Sequence, residues 1–244
     1  MATIAFVTAR RFPEFGGSCM RIRIIGLVAV IHAVSIMHAA YAAAPISVQT
    51  ESLARLAPHA NPAAVALAVS AMHCAVNHGQ GVHATRLVLI DYSLPSLQPR
   101  LWVFDLEHTK LLYEEYVAHG KGSGENYAQR FSNLDESRAT SLGLFLTGDA
   151  YEGHNGHSMR LEGLEPGTND HAMQREIVMH GADYVDPILG KVQGRLGRSW
   201  GCPALRREIA APLIDSIRQG NFVFAYYPDP AWLQHSPWLH CDRR

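Results

Sequence analysis

Two residues in the last third of the chain have side chains that together could perform nucleophilic chemistry. Cys202 lies in the segment SWGCPAL, and His180 lies near the end of the segment REIVMHG. A thiol becomes a strong nucleophile when a nearby imidazole accepts its proton. Gly201 lets the backbone turn sharply before the cysteine, and the N–H groups of Gly201 and Cys202 are then candidates to stabilise an oxyanion. The same residues are equally consistent with a core histidine and an inert, packed thiol.

The first 44 residues predict export, and the compartment decides how the cysteines are interpreted. Arg21 and Arg23 precede an apolar run that ends in small residues around Ala42, which is the order of a secretory signal peptide. The pattern opens at Met20, a candidate start of translation, with cleavage near Ala42. The apolar run is short for a membrane span, so we expect no stable span after cleavage.

Cleavage there would leave three of the four cysteines: Cys74, Cys202 and Cys241. In an oxidising compartment an odd number leaves at least one thiol free or paired between chains. A free thiol is open to oxidation there and usually has a function. Cys74 lies in a helical pattern, where we expect it to be buried as a small apolar residue. Pairing with Cys241 is the alternative.

Length, composition and charge describe an ordinary globular chain. The 244 residues are 48% hydrophobic, which suffices for one sizeable domain with a core. The formal net charge of −1 gives no reason to expect a nucleic-acid partner. Outside the first 44 residues there is no long apolar run, so we predict a soluble mature protein.

Hydrophobic patterning predicts a mainly β fold. Residues 45–60 are interpreted as a linker, and the next segment as a helix with Asn61 as N-cap, Pro62 at the first position and Gly79 at the stop. From Thr85 onward, short alternating segments predict strands. We expect a β-sandwich or barrel with a short helical N-terminal segment and a helix after Cys202. The predicted strand segments are 85–93, 100–120, 140–153, 158–167, 175–181 and 221–228. The predicted helix after the cysteine is 202–217.

Several of these segments resemble a known family. MHG followed by SWGC resembles the signature of L,D-transpeptidase catalytic domains, the cysteine enzymes that act on bacterial murein. The segments RLWVFDL, HGKGSGENYAQRFSN, SLGLFLTG and MRLEGLEPGTNDHA resemble the murein L,D-transpeptidase branch with a longer region before this motif. The likeness covers about residues 85–226 and implies an L,D-transpeptidase-like fold. Because murein lies outside the inner membrane, it also implies a periplasmic enzyme, in agreement with the export signal.

The resemblance implies a mechanism. Cys202 would attack the carbonyl of the third residue of a peptidoglycan stem, and His180 would pass the thiol proton to the departing D-alanine. The carbonyl of Gly181 would fix the imidazole tautomer, with Ser199 as a second candidate. The amine of a neighbouring stem would resolve the thioester and form a 3→3 cross-link. No cofactor or metal is implied, and carbapenems become candidate inhibitors.

Substrate recognition departs from the family pattern. Many members have Arg or Asn two residues after the nucleophile, where this chain has Ala204. Arg198 or Arg206 is expected to supply the charge instead. Trp200 and Tyr184 are further candidate substrate contacts.

The acceptor stays open, because an outer-membrane lipoprotein could replace the neighbouring stem. Three alternative functions also stay open from the sequence. Water in place of the amine would make the protein an L,D-carboxypeptidase. His154, His157 and His171 are candidate ligands of a zinc murein peptidase, although they lack a recognisable ligand motif. A non-catalytic murein-binding module is the third. The predicted organisation is upstream sequence and signal peptide (1–44), linker and helix (45–84), catalytic domain (85–230) and C-terminal tail (231–244).

Overall fold

Nine strands form one mixed sheet in the computed structural model, which describes residues 45–241. The strand order is β3-β2-β1-β9-β5-β6-β7-β8-β4. The strands are β1 (Arg86–Asp91), β2 (Leu101–Asp105), β3 (Lys110–Glu115), β4 (Val117–Ala118), β5 (Gly143–Gly153), β6 (Gly156–Gly163), β7 (Val178–Gly181), β8 (Ala204–Leu205) and β9 (Phe222–Tyr226).

The sheet curls into a nearly closed barrel. β3 and β4 are the two ends of the strand order, yet only Tyr116 separates them along the chain. A single residue cannot span a flat sheet of nine strands, because neighbouring strands lie nearly 5 Å apart. The two edges are therefore brought together, and the predicted mainly β, barrel-like L,D-transpeptidase fold is confirmed.

The strand pattern explains where the core lies. All five residues of β2 and of β9 are buried, whereas β3 at the edge alternates between exposed and half-buried positions. β9, the last strand along the chain, is central in the sheet, parallel to β1 and antiparallel to β5. The hydrophobic pattern of a strand predicts that it is buried but not which strands pair with it, so the central place of β9 could not be predicted from the sequence.

Residues 45–241 contain five α-helices, which cover the sheet and connect its strands. The helices are α1 (Ile46–Leu56), α2 (Pro62–Asn77), α3 (Pro187–Gln193), α4 (Arg207–Ile217) and α5 (Pro230–His235). The predicted cap of α2 is confirmed, because the Asn61 side chain accepts a hydrogen bond from the Ala63 N–H at 2.9 Å. The linker predicted over residues 45–60 is wrong, since α1 occupies most of it. Only Leu53 of α1 is buried, and the helix begins after Pro45 without a side-chain cap.

The helix predicted over residues 202–217 begins five residues late, at Arg207. Pro203 lacks an N–H, and Ala204 and Leu205 pair with β7 as the short strand β8. The helix then buries Leu213, Ile214 and Ile217 against the sheet. This delay leaves Cys202 on a strand-like loop instead of on a helix.

The described part of the predicted C-terminal tail is packed against the rest of the domain. Trp232 and Trp238 are buried, and Cys241 forms a disulfide with Cys74 on α2. Cys74 is therefore both buried, as expected, and paired, which was the alternative. One buried core includes residues on both sides of the predicted boundaries at 84/85 and 230/231.

Within residues 45–241, no helix is long and apolar enough to cross a membrane. The predicted signal peptide and its cleavage near Ala42 lie outside the described residues.

Candidate active site

His180 lies on β7, and Cys202 lies just before β8, the strand that pairs with β7 in parallel. His180 of β7 pairs in register with Ala204 of β8, two residues after the cysteine. Cys202 is therefore level with Val178, whose backbone N–H donates to Sγ at 3.5 Å. Side chains at alternate positions of a strand share a face, so Val178 and His180 face the same way. His180 therefore lies on the same face of β7 as Val178, the residue that contacts the sulfur.

The imidazole of His180 is held in one neutral form. The ring is buried, and burial lowers its pKa below the ordinary value of 6.5. Nδ1 donates to the carbonyl of Gly181 at 3.0 Å. Since a carbonyl can only accept, Nδ1 carries the proton and Nε2 presents a lone pair. The carbonyl predicted to fix the tautomer therefore makes that contact.

The thiol of Cys202 is half-buried and free, and it is protonated at neutral pH. Burial raises its pKa, while the N–H of Val178 and the positive charge of Arg175 act in the opposite direction. Sγ–H donates to the carbonyl of Glu176 at 3.7 Å. Glu176 has a positive φ of 53°, an uncommon conformation for a side-chain-bearing residue that aims this carbonyl at the sulfur. The resting thiol is thus neutral.

The loop before the cysteine is shaped by Gly201 and Ser199. Gly201 has φ 132°, and a Cβ there would lie 2.9 Å from the Ile177 side chain and 3.0 Å from the Ala139 carbonyl. The hydroxyl of Ser199 donates to the Cys202 carbonyl at 2.6 Å and accepts from the Gly201 N–H at 3.1 Å. Ser199 therefore braces this loop.

These contacts correct two expectations. Ser199 was a candidate to orient His180, but its hydroxyl is directed into its own loop. The Gly201 N–H was a candidate oxyanion donor, but it is occupied by Ser199. The Cys202 N–H lies close enough to its own sulfur to lower the thiol pKa. It is the better placed of the two predicted oxyanion donors.

Thr140 and the segment of residues 120–124 pack against the cysteine loop and hydrogen-bond to it. Thr140 donates to the Gly201 carbonyl at 3.1 Å and accepts from the Gly120 N–H at 2.9 Å. The Lys121 N–H donates to the Ser199 carbonyl at 2.9 Å. A Cβ at Gly120 would lie 2.8 Å from the Gly201 Cα, so this close approach requires glycine. The glycine-rich segment of residues 120–124 is therefore a packed support for the loop.

Arg175 is a charged residue of the site that the sequence did not indicate. Its guanidinium donates four hydrogen bonds, all to neutral oxygens of Ser132, Ser137, Ala139 and Ser141. The same group borders Gly201, since a Cβ there would be 3.4 Å from Arg175 Nη2. No carboxylate of the described chain forms an ion pair with it, and its charge interacts with Asp135 and with the sulfur of Cys202.

Cys202 lies at the wall of a pocket of about 460 Å³. The tip of the β5–β6 hairpin supplies one side, and the segment leading into β7 supplies the other. The lining residues are Tyr151, His154, Asn155, Ser158, Arg160, Met173, Glu176, Ile177, Val178 and Cys202. A pocket of this size accommodates a short peptide segment and brings it to the sulfur.

The comparisons with known proteins place this geometry in a family. The model of the L,D-transpeptidase catalytic domain matches residues 56–226, well over half of the chain. This chain belongs to the L,D-transpeptidase catalytic domain family. A comparison with curated proteins finds no relative of significant similarity.

Solved structures give weaker likenesses. An L,D-transpeptidase from Mycobacterium smegmatis is 17% identical, with 59% of each chain covered and a TM-score of 0.36. A mutant of a helical cell shape determining protein from Campylobacter jejuni is 15% identical, with 59% of this chain and 48% of that one covered and a TM-score of 0.40. L,D-transpeptidase 3 from Mycobacterium tuberculosis, in complex with a faropenem-derived adduct, is 15% identical over 59% and 60%, with a TM-score of 0.36. The chain spans less than two thirds of each.

The two arginines predicted to bind substrate in this L,D-transpeptidase domain are already paired. Arg206 makes two hydrogen bonds to Glu115, at 3.0 and 2.6 Å, and also contacts Glu208. Arg198 donates to Glu125 at 2.7 Å and to the Gly124 carbonyl at 2.8 Å. Neither arginine therefore offers an unpaired charge to replace the Arg or Asn that many family members have at the position of Ala204.

The two predicted aromatic contacts are on the surface near Cys202. Trp200 is 67% exposed, and the Arg138 guanidinium lies over its ring at 4.7 Å from the centroid. Tyr184 is partly exposed, and burial, followed by the charge of a Cys202 thiolate, raises the pKa of its phenol. The phenol is therefore within electrostatic reach of the sulfur and stays protonated.

The histidines that raised a zinc site do not gather into one. His157 contacts Glu152 and Asp215, at 2.9 and 3.0 Å, and His154 lines the pocket. Among residues 45–241, the groups with metal-ligand spacing are Cys74–His78–Cys241 and Asp105–Glu107–His108, neither of which includes these histidines. The described geometry does not support the zinc peptidase.

Proposed function

We propose that this L,D-transpeptidase domain is an exported, periplasmic cysteine transferase that joins peptidoglycan tetrapeptide stems by 3→3 cross-links. Cys202 is the nucleophile, and His180 is the general base and acid. One observation supports this most directly. The free cysteine of the described chain lies at a peptide-sized pocket, beside a strand that holds a neutral imidazole, in a chain of this family.

The first half-reaction transfers the stem to sulfur. Nε2 of His180 accepts the thiol proton while Sγ forms a bond to the carbonyl carbon of the third stem residue. The bond from that carbon to the nitrogen of the terminal D-alanine then breaks. The imidazolium returns the proton to the departing amine, so a thioester and free D-alanine result. Because thiol and imidazole both start neutral, no charge has to be buried before the substrate binds.

The tetrahedral intermediate carries a negative oxygen that needs nearby donors. The N–H of Cys202 is available, whereas the N–H of Gly201 donates to Ser199. The positive charge of Arg175 acts on the same region through space. We assign oxyanion stabilisation to these two groups.

The second half-reaction depends on the acceptor. The side-chain amine of a neighbouring stem attacks the thioester carbonyl, His180 accepts its proton, and the thiol is restored. Water in the same place releases a tripeptide, which is carboxypeptidase chemistry. An amine of an outer-membrane lipoprotein would give an anchored protein by the same steps.

Purified protein incubated with disaccharide tetrapeptides, followed by liquid chromatography and mass spectrometry, tests the proposal. We expect a dimer that has the mass of two substrates minus one D-alanine. A Cys202→Ala protein should yield none, and a metal chelator should not change the yield. Conversion to tripeptide alone would replace the transferase with the carboxypeptidase. Products that persist in Cys202→Ala would refute the cysteine mechanism.

A further inference from the structure

A cluster of basic and aromatic side chains lies next to Cys202, and the mechanism above does not use it. The basic–aromatic surface consists of Lys121, Tyr127, Arg130, Arg138 and Trp200. All five side chains are exposed, with Trp200 67% and Tyr127 52% accessible. A pocket of about 430 Å³ opens here, lined in part by Lys121, Tyr127 and Arg130 and also by Glu125, whose carboxylate pairs with Arg195 and Arg198. It shares no lining residue with the pocket at Cys202.

Backbone contacts make these residues one surface. The Gly122 carbonyl accepts from Arg130 Nε at 3.2 Å, and the Gly122 N–H donates to the Arg138 carbonyl at 2.7 Å. Lys121 is hydrogen-bonded to Ser199, the residue before Trp200. The surface is thus built on the same segment that supports the cysteine loop.

The three cations of this surface have no anionic partner in the described chain. Across residues 45–241, no carboxylate forms an ion pair with Lys121, Arg130 or Arg138. Asp135 and Glu136 are on the same loop as Arg138 and also leave it unpaired. This contrasts with Arg198 and Arg206, whose charges are already neutralised. Arg175 beside the sulfur and Arg160 in the Cys202 pocket also lack an ion pair, so this surface extends the unpaired positive charge near the thiol.

We propose that the basic–aromatic surface binds a carboxylate-bearing peptide, namely the stem that accepts the acyl group. The proposal rests on the proposed function, because only a transferase needs a second peptide beside its thioester. Guanidinium groups bind carboxylates through two parallel hydrogen bonds. The indole of Trp200, already stacked under Arg138, offers an apolar face for the aliphatic part of the same peptide.

Binding can be measured without catalysis in a Cys202→Ala protein. The probes are a murein tetrapeptide with free carboxylates and the same peptide with its carboxylates amidated. Calorimetry gives each affinity. Acrylamide quenching of tryptophan fluorescence reports on Trp200, because Trp102, Trp232 and Trp238 are buried. We expect the charged peptide to protect Trp200 and to bind roughly tenfold more tightly than the amidated one.

Substitutions test which cations are responsible. The combined variant Lys121→Gln, Arg130→Gln and Arg138→Gln should weaken binding of the charged peptide by roughly tenfold and leave the amidated peptide unaffected. Lys110→Gln, on the exposed edge strand β3, is the matched control and should keep full affinity. An unchanged thermal midpoint shows that the combined variant is folded.

Three outcomes would overturn the proposal. The charged and amidated peptides could bind equally, or the combined variant could bind as tightly as Lys110→Gln. Protection of Trp200 by the neutral sugar diacetylchitobiose, and not by the peptide, would make this a saccharide surface instead. Acylation of wild-type Cys202 by a carbapenem is a separate measurement. Acylation without charge-dependent binding leaves the function and removes the subsite. Charge-dependent binding without acylation removes the function and, with it, the acceptor role of a surface that still binds peptide.

Discussion

His180 lies on β7 and Cys202 two residues before the parallel neighbour β8, yet in the described chain no hydrogen bond joins the imidazole to the thiol. The sulfur contacts the backbone of Glu176 and Val178, and the ring contacts the backbone of Gly181. Each reactive group is thus held by main-chain atoms, with both groups neutral. For proton transfer, the thiol has to turn from the Glu176 carbonyl toward Nε2 when substrate binds.

This resting state predicts the pH dependence of acylation. Burial lowers the pKa of His180 and raises that of Cys202. The base is therefore already unprotonated at pH 7, and its acid limb should lie below pH 6.5. We expect the rate of acylation by a carbapenem to be flat between about pH 7 and 8. A wild-type rate that climbs through this range would show that preformed thiolate reacts instead.

Removal of the base separates these two routes. His180→Gln should slow acylation at pH 7 by about 100- to 10,000-fold, because no group then takes the thiol proton. The loss should shrink at high pH, where the thiolate forms without help. Stopped-flow rates over the pH range check this, and a variant that is equally slow at every pH would contradict it.

Arg175 should act on the sulfur through its charge. Arg175→Gln should raise the pKa of the Cys202 thiol, because it removes a cation that opposes the effect of burial. It should also lower the free energy of unfolding by about 1–3 kcal/mol, since hydrogen bonds to the 132–141 segment are lost.

The conservative variant Arg175→Lys separates the two effects. It keeps the charge but not the fork of hydrogen bonds, so it should lose stability with the thiol pKa little changed. Thiolate absorbance, with Cys202→Ala subtracted, gives the pKa. Equal thiol pKa values in wild type and Arg175→Gln would remove the electrostatic role.

Gly201 should tolerate no side chain. Gly201→Ala combines a φ of 132° with contacts at 2.9 and 3.0 Å, so unfolding free energy should fall by about 2–4 kcal/mol and acylation should be lost. Gly167→Ala is the control, because φ is 76° there and nothing lies within 4 Å of the added carbon. It should cost only about 1 kcal/mol. Similar losses in both variants would show that the cysteine loop is not tightly packed.

The Cys74–Cys241 disulfide should stabilise the domain without affecting chemistry. It joins residues 167 apart in sequence, so Cys74→Ser should lower unfolding free energy by about 3–5 kcal/mol. Reductant should shift the thermal midpoint of wild type and not that of the variant. Acylation of the folded variant should proceed at the wild-type rate, and a shift of the variant by reductant would show that another bond is responsible.

Local signals explain which elements the sequence predicts. The cap at Asn61, Pro62 and the alanine-rich run define α2 within one short segment, and the buried runs of β1, β2 and β9 are equally local. α1 escapes prediction because Pro45 is at its N-cap position and no capping side chain marks its start. The late start of α4 depends on the pairing of Ala204 with His180, a contact between residues that are distant along the chain.

The residues of the site also divide into those with a local sequence signal and those that depend on contacts between distant segments. Residue types and the family resemblance identify Cys202, His180 and Gly181. The hydrogen bonds of Ser199 and the pairing of Arg198 and Arg206 depend on which loops meet. Arg175 precedes the buried run IVMH, where a charged residue at the start of a strand is unremarkable. Its importance comes only from its position beside Gly201.

Intact-protein mass spectrometry after mixing with a carbapenem tests the central claim most directly. Wild type should gain the mass of one carbapenem, and Cys202→Ala should gain none. Peptide mapping should place the adduct on Cys202. Reduced, folded wild-type protein that gains no mass, or a Cys202→Ala protein that still gains it, would contradict the assignment of Cys202 as the acylated nucleophile.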